Sequence, residues 1–321
     1  MELGSGRFGK VRKVLLYPRS SAESGLRTIS GAARLKITLI MISVVATGAQ
    51  MVPSTAMASS RTRNNVAHPA ISYVNANSLH ARSAPATQYP IGVPKKNSPS
   101  GLSPASASAF PGYRLTYVNN FNGSKLPVGW DIFTGVPGGA PGGQFGSAHV
   151  VVSGGMLRLN AWRDPKYQNR WVTGGLCQCG LIRTYGAYFV RSRVTGGGAN
   201  EVQLLWPANN TWPPEIDFNE NGGNLKATSS TVHWGAKNFA IRRVLQIDMT
   251  KWHTWGVVWT PKSIEYVVDG HVWTSITVAA AITRIPMRLD LEQRTICSEH
   301  RQCPTAPVSM LVDWVSEYAR N

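Results

Sequence analysis

The stretch "IEYVVDGHVWTSI", residues 264–276, contains two runs of β-branched and aromatic residues on either side of Asp269-Gly270. An Asp-Gly pair readily adopts the backbone of a tight type I′ turn, so two β-prone runs around it predict a β-hairpin. Because a two-residue turn can only join antiparallel neighbours, the stretch predicts an antiparallel sheet in this part of the chain.

Runs of the same texture extend in both directions from this hairpin. They are short, rich in Val, Tyr, Trp and Leu, and separated by Gly, Asn and Pro, as in "HVVVSGGMLRLNAW" (149–162), "YGAYFVRSRV" (185–194) and "MLVDWVSEY" (310–318). No convincing amphipathic helix pattern accompanies them. Many short strands with regular turn signals predict an all-β domain, an antiparallel sandwich or barrel, over residues 111–321. All 11 Trp and all four Cys lie in this segment, which is long enough to bury a core.

The N-terminal residues 1–58 have the pattern of a secretory signal region with an extended basic leader. Basic residues precede a 13-residue apolar run, "ITLIMISVVATGA" (37–49), and "AMA" (56–58) follows it. This order is typical of a signal peptide, here with cleavage predicted near Ala58. The run is shorter than the ~20 residues that span a bilayer, although an uncleaved membrane anchor stays an alternative. The expected location is extracellular, with no stable membrane anchor after cleavage.

Residues 59–110 differ from the segments on either side. They contain five Lys and Arg, no acid, no Trp and no Cys, and much Ser, Ala, Asn and Pro, which predicts a disordered linker. The net charge of +17 lies largely in the N-terminal third. No basic run interleaved with aromatic residues follows it, so nucleic acid is not an expected partner. The positive charge is also consistent with affinity for an acidic polysaccharide or an anionic cell wall.

The four cysteines, Cys177, Cys179, Cys297 and Cys303, are disulfide candidates in an exported chain. Their C-x-C and C-x5-C spacings are not those of common zinc sites, which leaves zinc as a weaker alternative. Three connectivities are open. We favour a local Cys297–Cys303 bridge and expect a Cys177–Cys179 bridge to be strained.

Three carboxylates lie within six residues in "EIDFNE", residues 215–220. On a strand, Glu215 and Asp217 share one face, whereas Ile216 and Phe218 point to the core. Glu220 is an odd number of residues away and would face the core in a regular strand, where a lone carboxylate is costly. One extra residue in a β-bulge near Phe218 returns Glu220 to the face of the other two acids. The spacing therefore predicts a bulge and a row of three acids.

Three carboxylates on one face repel each other, so at least one pKa is expected to rise. One ionised and one protonated carboxyl group are what glycoside hydrolysis requires. A solvated acidic face fits poorly with the adjacent Ile216 and Phe218. A calcium site is an alternative at this position, because oxygen atoms are the ligands that calcium prefers. We expect no metal ion or other cofactor to be required, and a structural calcium ion stays open.

With its flanks, "WPPEIDFNENGG" resembles the catalytic strand of glycoside hydrolase family 16 in its bulged form, E-x-D-x-x-E. Other segments resemble the family in the same order: "GGMLRLNA", "GLIRTYGAYFVRSRV", "WHTWGVVWTPKSIEYVVDGHVW" and "MLVDWVSEY". Two features depart from it. Val190 stands where many members have Glu, and "DLEQRTICSEHRQC" replaces the family's usual "NLAVGG"-like stretch.

The resemblance implies a concanavalin A-like β-jelly-roll sandwich with a concave glycan cleft. It implies Glu215 as nucleophile, Asp217 as its helper and Glu220 as general acid/base, with net retention. The predicted function is a secreted, monomeric, retaining endo-glycosidase acting on a β-linked glucan or galactan. A transglycosylase and a non-catalytic lectin-like module are the alternatives, and the retained acids disfavour the second.

Further cleft residues are predicted around the three acids. Aromatic rings offer flat apolar faces to sugars, although each Trp could equally belong to the core. The predicted substrate-binding residues are Trp206, Trp212, His233, Trp234, Gln293 and Arg294.

Overall fold

A computed structural model describes residues 72–75, 89–297 and 303–321. The predicted signal region, 1–58, and most of the predicted linker before residue 89 lie outside the described residues. Within the described part of the chain, no helix is both long and apolar enough to cross a membrane.

The described residues form β-strands joined by turns and four short 3-10 helices. The strands are β1 Ser72–Asn75, β2 Val93–Pro94, β3 Leu102–Ser103, β4 Tyr113–Asn119, β5 Asp131–Ile132, β6 Val150–Ser153, β7 Met156–Asp164, β8 Arg170–Val172, β9 Gly175–Cys177, β10 Gly186–Val194, β11 Ala199–Pro207, β12 Glu215–Glu220, β13 Ala227–Trp234, β14 Phe239–Gln246, β15 His253–Trp259, β16 Ile264–Val268, β17 His271–Ile276, β18 Met287–Thr295 and β19 Val308–Arg320. The 3-10 helices are Ala107–Ala109, Ser147–His149, Pro165–Tyr167 and Ala279–Ala281.

Two large sheets contain almost all of these strands. One has the order β1-β14-β13-β12-β11-β18-β9-β5. The other has the order β17-β16-β15-β10-β19-β7-β6, with β4 also on β19 and β8 on β7. Among the described strands, every pair is antiparallel except β1 with β14. The predicted all-β, antiparallel sandwich is therefore confirmed.

The predicted hairpin is present as β16 and β17. Asp269 and Gly270 form its turn with φ values of 46° and 82°. Positive φ at both positions is what the type I′ turn demands, and Asp-Gly adopts it at low cost.

The main core lies between the two sheets. It takes alternate residues from each strand, such as Tyr188 and Val190 from β10, and Ile216 and Phe218 from β12. A second cluster, here called the outer cluster, occupies the other face of the nine-stranded sheet, and its buried members are Phe110, Ala187, Phe189, Val258, Val267, Trp314 and Tyr318.

Residues 89–110 correct the predicted linker boundary at residue 110. Phe110 is 6% exposed and packs on the outer cluster, and the Tyr89 hydroxyl donates to Glu265. The Ser98 hydroxyl donates to Asp313 at 2.5 Å, and Leu102 accepts from the Trp314 indole at 3.1 Å. The ordered domain therefore begins at or before residue 89, because a few anchoring side chains hold a segment of otherwise linker-like composition. We call residues 89–110 the strap.

Candidate active site

The three acids lie on β12, which pairs with β11 on one side and β13 on the other, inside the eight-stranded sheet. Ile216 and Phe218 are fully buried in the core, so the alternation turns Glu215 and Asp217 to the opposite face of the sheet. We call it the concave face, because it is the face that the family resemblance predicts to form the glycan cleft. Glu215 and Glu220 are partly accessible, whereas Asp217 is 3% exposed.

A β-bulge interrupts β12 where the spacing of the acids predicts one. Asp217 pairs with Thr231 and Glu220 pairs with Ser229, so three steps on β12 face two on β13. Phe218 and the fully buried Asn219 are both taken up between these pairs, and Glu220 returns to the concave face.

Hydroxyl groups of β13 satisfy the backbone that the bulge releases from its ladder. Ser230 donates to the Phe218 carbonyl at 3.0 Å, and Ser229 donates to the Glu220 carbonyl at 2.9 Å. The extra residue therefore leaves these two carbonyls hydrogen-bonded, as buried backbone groups must be.

Glu215 is held by the residue that precedes the two prolines of "TWPPE". The Trp212 indole N–H donates to Glu215 Oε2 at 2.6 Å. The Trp212 ring is 41% exposed and lies 5.8 Å from the His233 ring, at an angle of 45°. An exposed indole beside a candidate nucleophile supports the prediction that Trp212 contacts a sugar.

Burial raises the pKa of Asp217 well above its ordinary value, and the neighbouring charges of Glu215 and Glu220 raise it further. Asp217 also shares a hydrogen bond with Glu215. Because this hydrogen bond is one of the causes that raise the pKa of Asp217, Asp217 is its donor and Glu215 is its acceptor. The predicted rise in one pKa among the three acids is thus confirmed, and it falls on the middle one.

His233 completes this end of the site from β13. Its Nε2 lies 3.7 Å from Asp217 Oδ2. Its Nδ1 lies 2.8 Å from Asn238 Oδ1, and because that oxygen is an acceptor, Nδ1 carries the ring hydrogen. His233 is therefore placed in the cleft, as predicted.

Glu220 is held from β11 and β18. Asn200 Nδ2 donates to Glu220 Oε1 at 3.0 Å, and Arg294 Nη2 lies 3.8 Å from the same oxygen. Arg294 also faces Glu292 at 3.2 Å and donates to the Gly138 carbonyl at 3.0 Å. Burial alone would lower the pKa of Arg294, but the carboxylates of Glu292 and Glu220 outweigh burial and raise it. Arg294 is thus a permanent cation.

Trp206 and Arg294 lie on the concave face, as the prediction requires. Trp206 follows Leu205, which pairs with the core residue Ile216, so alternation places Trp206 on the cleft side beside Glu215. It is half-buried.

Two predicted cleft residues lie on the wrong face. Trp234 packs against the main core and the Phe239 ring, because it is adjacent to His233 and successive strand residues face opposite ways. Gln293 is fully buried and lies on the interior face with Leu291. Neither side chain reaches the concave surface.

The charged residues of β18 were not all found from the sequence. Arg288, Asp290, Glu292 and Arg294 alternate with core residues in "MRLDLEQRT" and all face the concave side. Arg288 pairs with Asp290 at 3.1 Å, both nearly buried. The alternation of charged residues with Met and Leu could have identified them from the sequence. For a single Asn such as Asn200, no sequence pattern indicates a role in the site.

All four cysteines are in disulfides, Cys177 with Cys179 and Cys297 with Cys303. The local Cys297–Cys303 bridge is confirmed. Cys177 and Cys179, for which we expected a strained bridge, are also joined, and their Cα atoms lie 5.1 Å apart, within the range that a disulfide spans. No thiolate is left for the alternative zinc site.

Glu215, Asp217 and His233 offer ligand atoms that lie within 4.8 Å of one another. The structural calcium ion that the sequence leaves open at this position therefore stays a prediction.

Residues 148–295, which include β12 and both of its neighbours, match the sequence model described as "Glycosyl hydrolases family 16". The matched segment is a little under half of the chain. The family resemblance of the catalytic strand is thereby confirmed.

Two curated relatives are similar to part of this chain. They are the endo-1,3-1,4-beta-glycanases ExsH and EglC of Rhizobium meliloti (strain 1021), 32% and 30% identical over 94 residues. The match covers 28% of this chain and only 20% of each relative's length.

Solved structures of similar fold cover far more of the chain. The catalytic domain of an endo-1,3-beta-glucanase (laminarinase) from Thermotoga petrophila RKU-1 aligns with a TM-score of 0.58 at 17% identity, over 65% of this chain and 98% of that one. The laminarinase from Rhodothermus marinus aligns with a TM-score of 0.57 at 22% identity, over 64% and 97%. The fold of this domain is therefore the jelly-roll sandwich of family 16.

Proposed function

We propose that this chain is a retaining endo-glycosidase that hydrolyses a β-linked glucan. The observation that carries the proposal is the bulged strand β12, with Glu215, Asp217 and Glu220 on one concave face. The two glutamates have separate donors, Trp212 and Asn200, and a protonated Asp217 stands between them. A lectin-like module would need none of these contacts.

In the first step, the Glu215 carboxylate attacks the anomeric carbon while Glu220 gives its proton to the glycosidic oxygen. The bond between that carbon and that oxygen breaks, and its electron pair stays with the leaving sugar. The Asp217 hydroxyl, hydrogen-bonded to Glu215, restrains the nucleophile and adds no second negative charge beside it.

In the second step, the Glu220 carboxylate takes a proton from water as the water oxygen attacks the anomeric carbon. The bond to Glu215 breaks and the carboxylate is regenerated, so two inversions give net retention. If a sugar hydroxyl replaces the water, the same two steps transfer the glycosyl group instead. This is the transglycosylase alternative.

The names of similar proteins favour a glucan over a galactan. The curated relatives are endo-1,3-1,4-beta-glycanases and the structural relatives include laminarinases. A β-1,3 or mixed β-1,3-1,4 glucan is the proposed substrate. The altered stretch begins on β18, where Asp290, Glu292 and Arg294 face the same side as the three acids, so it supports a substrate preference different from that of the relatives.

Secretion is part of the proposal. Two disulfides support an oxidising compartment, and the leader pattern over residues 1–58 supports export.

The experiment is incubation of the purified chain with laminarin, lichenan, agarose, carrageenan and xyloglucan, followed by product identification. We expect oligosaccharides from laminarin or lichenan, formed first as the β-anomer when followed by proton NMR. Glu215→Gln is the matched inactive control, since it keeps the size of the side chain and the fold. First products of α-configuration, or activity retained in Glu215→Gln, would contradict the mechanism.

A further inference from the structure

Only one oxygen of the Glu220 carboxyl group is engaged by β11 and β18. Asn200 Nδ2 donates to Oε1 at 3.0 Å, and Arg294 Nη2 approaches the same Oε1 at 3.8 Å. Asn200 itself is 2% exposed, so water does not compete for its amide.

The orientation of the Asn200 amide is determined by its other end. Its Oδ1 accepts from the Gly222 backbone N–H at 2.7 Å, in the turn that follows β12. Because Oδ1 must face this donor, Nδ2 must face Glu220. Asn200 therefore ties the acid to the end of its own strand through two hydrogen bonds of opposite sense.

An oxygen that accepts a hydrogen bond from Asn200 and faces the Arg294 cation is a poor place for the acid's own proton. The proton of Glu220 is therefore carried by Oε2, the oxygen that neither Asn200 nor Arg294 engages. We propose that Asn200 is a positioning residue that holds Glu220 so that Oε2 gives and takes the proton. The inference rests on the proposed function: Oε2–H passes its proton to the leaving oxygen in the first step, and Oε2 takes one from water in the second.

If Asn200 positions the acid, the loss of rate in its variants depends on the leaving group of the substrate. A general loss of structure would slow all substrates alike. Proton donation matters most for a leaving group whose conjugate acid has a high pKa, because such a group departs poorly as an anion. It matters little for a leaving group that departs readily without a proton. Loss of Asn200 should therefore slow poor leaving groups far more than good ones.

The test compares 2,4-dinitrophenyl and 4-methoxyphenyl glycosides of the disaccharide released in the substrate panel. In Asn200→Ala, we expect kcat/KM for the 4-methoxyphenyl glycoside to fall at least about tenfold more than for the dinitrophenyl glycoside, within the range of general acid catalysis. Asn200→Asp keeps the size of the side chain and the contact with Gly222 N–H, but replaces the donor to Oε1 by an oxygen. It should show the same signature.

Asn221→Asp is the matched control. Asn221 is also buried, at 5% exposed, and its Oδ1 accepts from the backbone N–H of Glu201 and Gly223. Because these bonds hold a turn rather than the acid, any loss in Asn221→Asp should be equal for the two glycosides.

Three results would overturn the inference. Equal losses on both glycosides in the two Asn200 variants would show a purely structural role. A leaving-group dependence as large in Asn221→Asp would show that any nearby change produces it. If the unmodified chain hydrolyses neither glycoside nor any polysaccharide, the proposed function itself fails, and the role of Asn200 fails with it. Thermal unfolding checks that each variant folds. If either Asn200 variant does not fold, Asn200→Ser takes its place in the comparison.

Discussion

At the scale of single residues, the two glutamates of β12 are held by different groups. Glu215 accepts from the Trp212 indole, and Glu220 from the Asn200 amide. Removing either side chain should lower turnover of the polysaccharide by about a hundredfold or more. Both lie on the cleft surface, so the fold should survive.

The products formed in azide should tell the two residues apart. In Glu215→Ala, azide occupies the space of the lost nucleophile and attacks from that face, giving an α-glycosyl azide. In Glu220→Ala, Glu215 still attacks a dinitrophenyl glycoside, and azide then captures the intermediate to give the β-azide. NMR of the glycosyl azides is the measurement. The opposite pairing of variant and anomer would exchange the two roles.

Sequence reasoning at this scale succeeded where residue spacing carries the information. The odd offset between Glu215 and Glu220 requires a bulge, and the bulge is present. Sequence reasoning failed for Trp234 and Gln293, because each was predicted to lie in the cleft together with the residue next to it in the sequence. On a regular strand two successive side chains cannot share a face, so His233 excludes Trp234, and Arg294 excludes Gln293.

At the scale of elements, the bulge in β12 rests on buried polar contacts beneath it. The side chain of Asn219 accepts from the Thr228 hydroxyl at 2.6 Å and bonds to Glu201. Glu201 is itself fully buried, and it accepts from Ser192 at 2.6 Å and Gln203 at 2.7 Å. These contacts join β12 to β10, β11 and β13 on the interior side of the catalytic strand.

Asn219→Leu should therefore destabilise the fold and impair catalysis together. The change leaves the Thr228 hydroxyl without its acceptor and removes one of several contacts of the buried Glu201, at about 1–3 kcal/mol for an unsatisfied buried group. It also releases the extra residue that sets Glu220 relative to Asp217, so kcat should fall. Urea unfolding and turnover of the glucan are the measurements.

Thr228→Val is the comparison for this prediction. It removes the same hydrogen bond from the neighbouring strand and leaves the bulged residue in place, so stability should fall with a smaller change in kcat. If Asn219→Leu lost stability but kept full kcat, the position of Glu220 would not depend on Asn219.

Most strands could be predicted from the sequence, but the strands with which they pair could not, except in hairpins. The Asp269-Gly270 turn and the Gly154-Gly155 turn each join neighbours in sequence, which local turn chemistry can predict. The pairing of β11 with β18 joins residues that are 80 to 96 positions apart in the sequence. Such a pairing depends on the packing of the whole sandwich, and no local pattern contains it.

At the scale of the whole molecule, the nine-stranded sheet is covered on both faces. The eight-stranded sheet covers one face, and the strap covers part of the other through Phe110 and Tyr89. Composition predicted disorder here because it averages over the segment, whereas order depends on where its few aromatic residues dock. The catalytic cleft lies on the other sheet, so the strap contributes to stability and does not contact the reacting groups.

Phe110→Ala should therefore weaken the fold without changing the chemistry. The Phe110 ring stacks on Tyr113 with centroids 4.1 Å apart and meets the edges of Phe189 and Tyr318, so its loss leaves a cavity. We expect a loss of about 3–5 kcal/mol in the free energy of unfolding, measured with urea, and an unchanged kcat for the folded protein. Phe239→Ala makes the same chemical change at a ring that is 53% exposed, and should cost about 1 kcal/mol or less. Equal losses in the two variants would mean that the strap does not stabilise the outer face of the sheet.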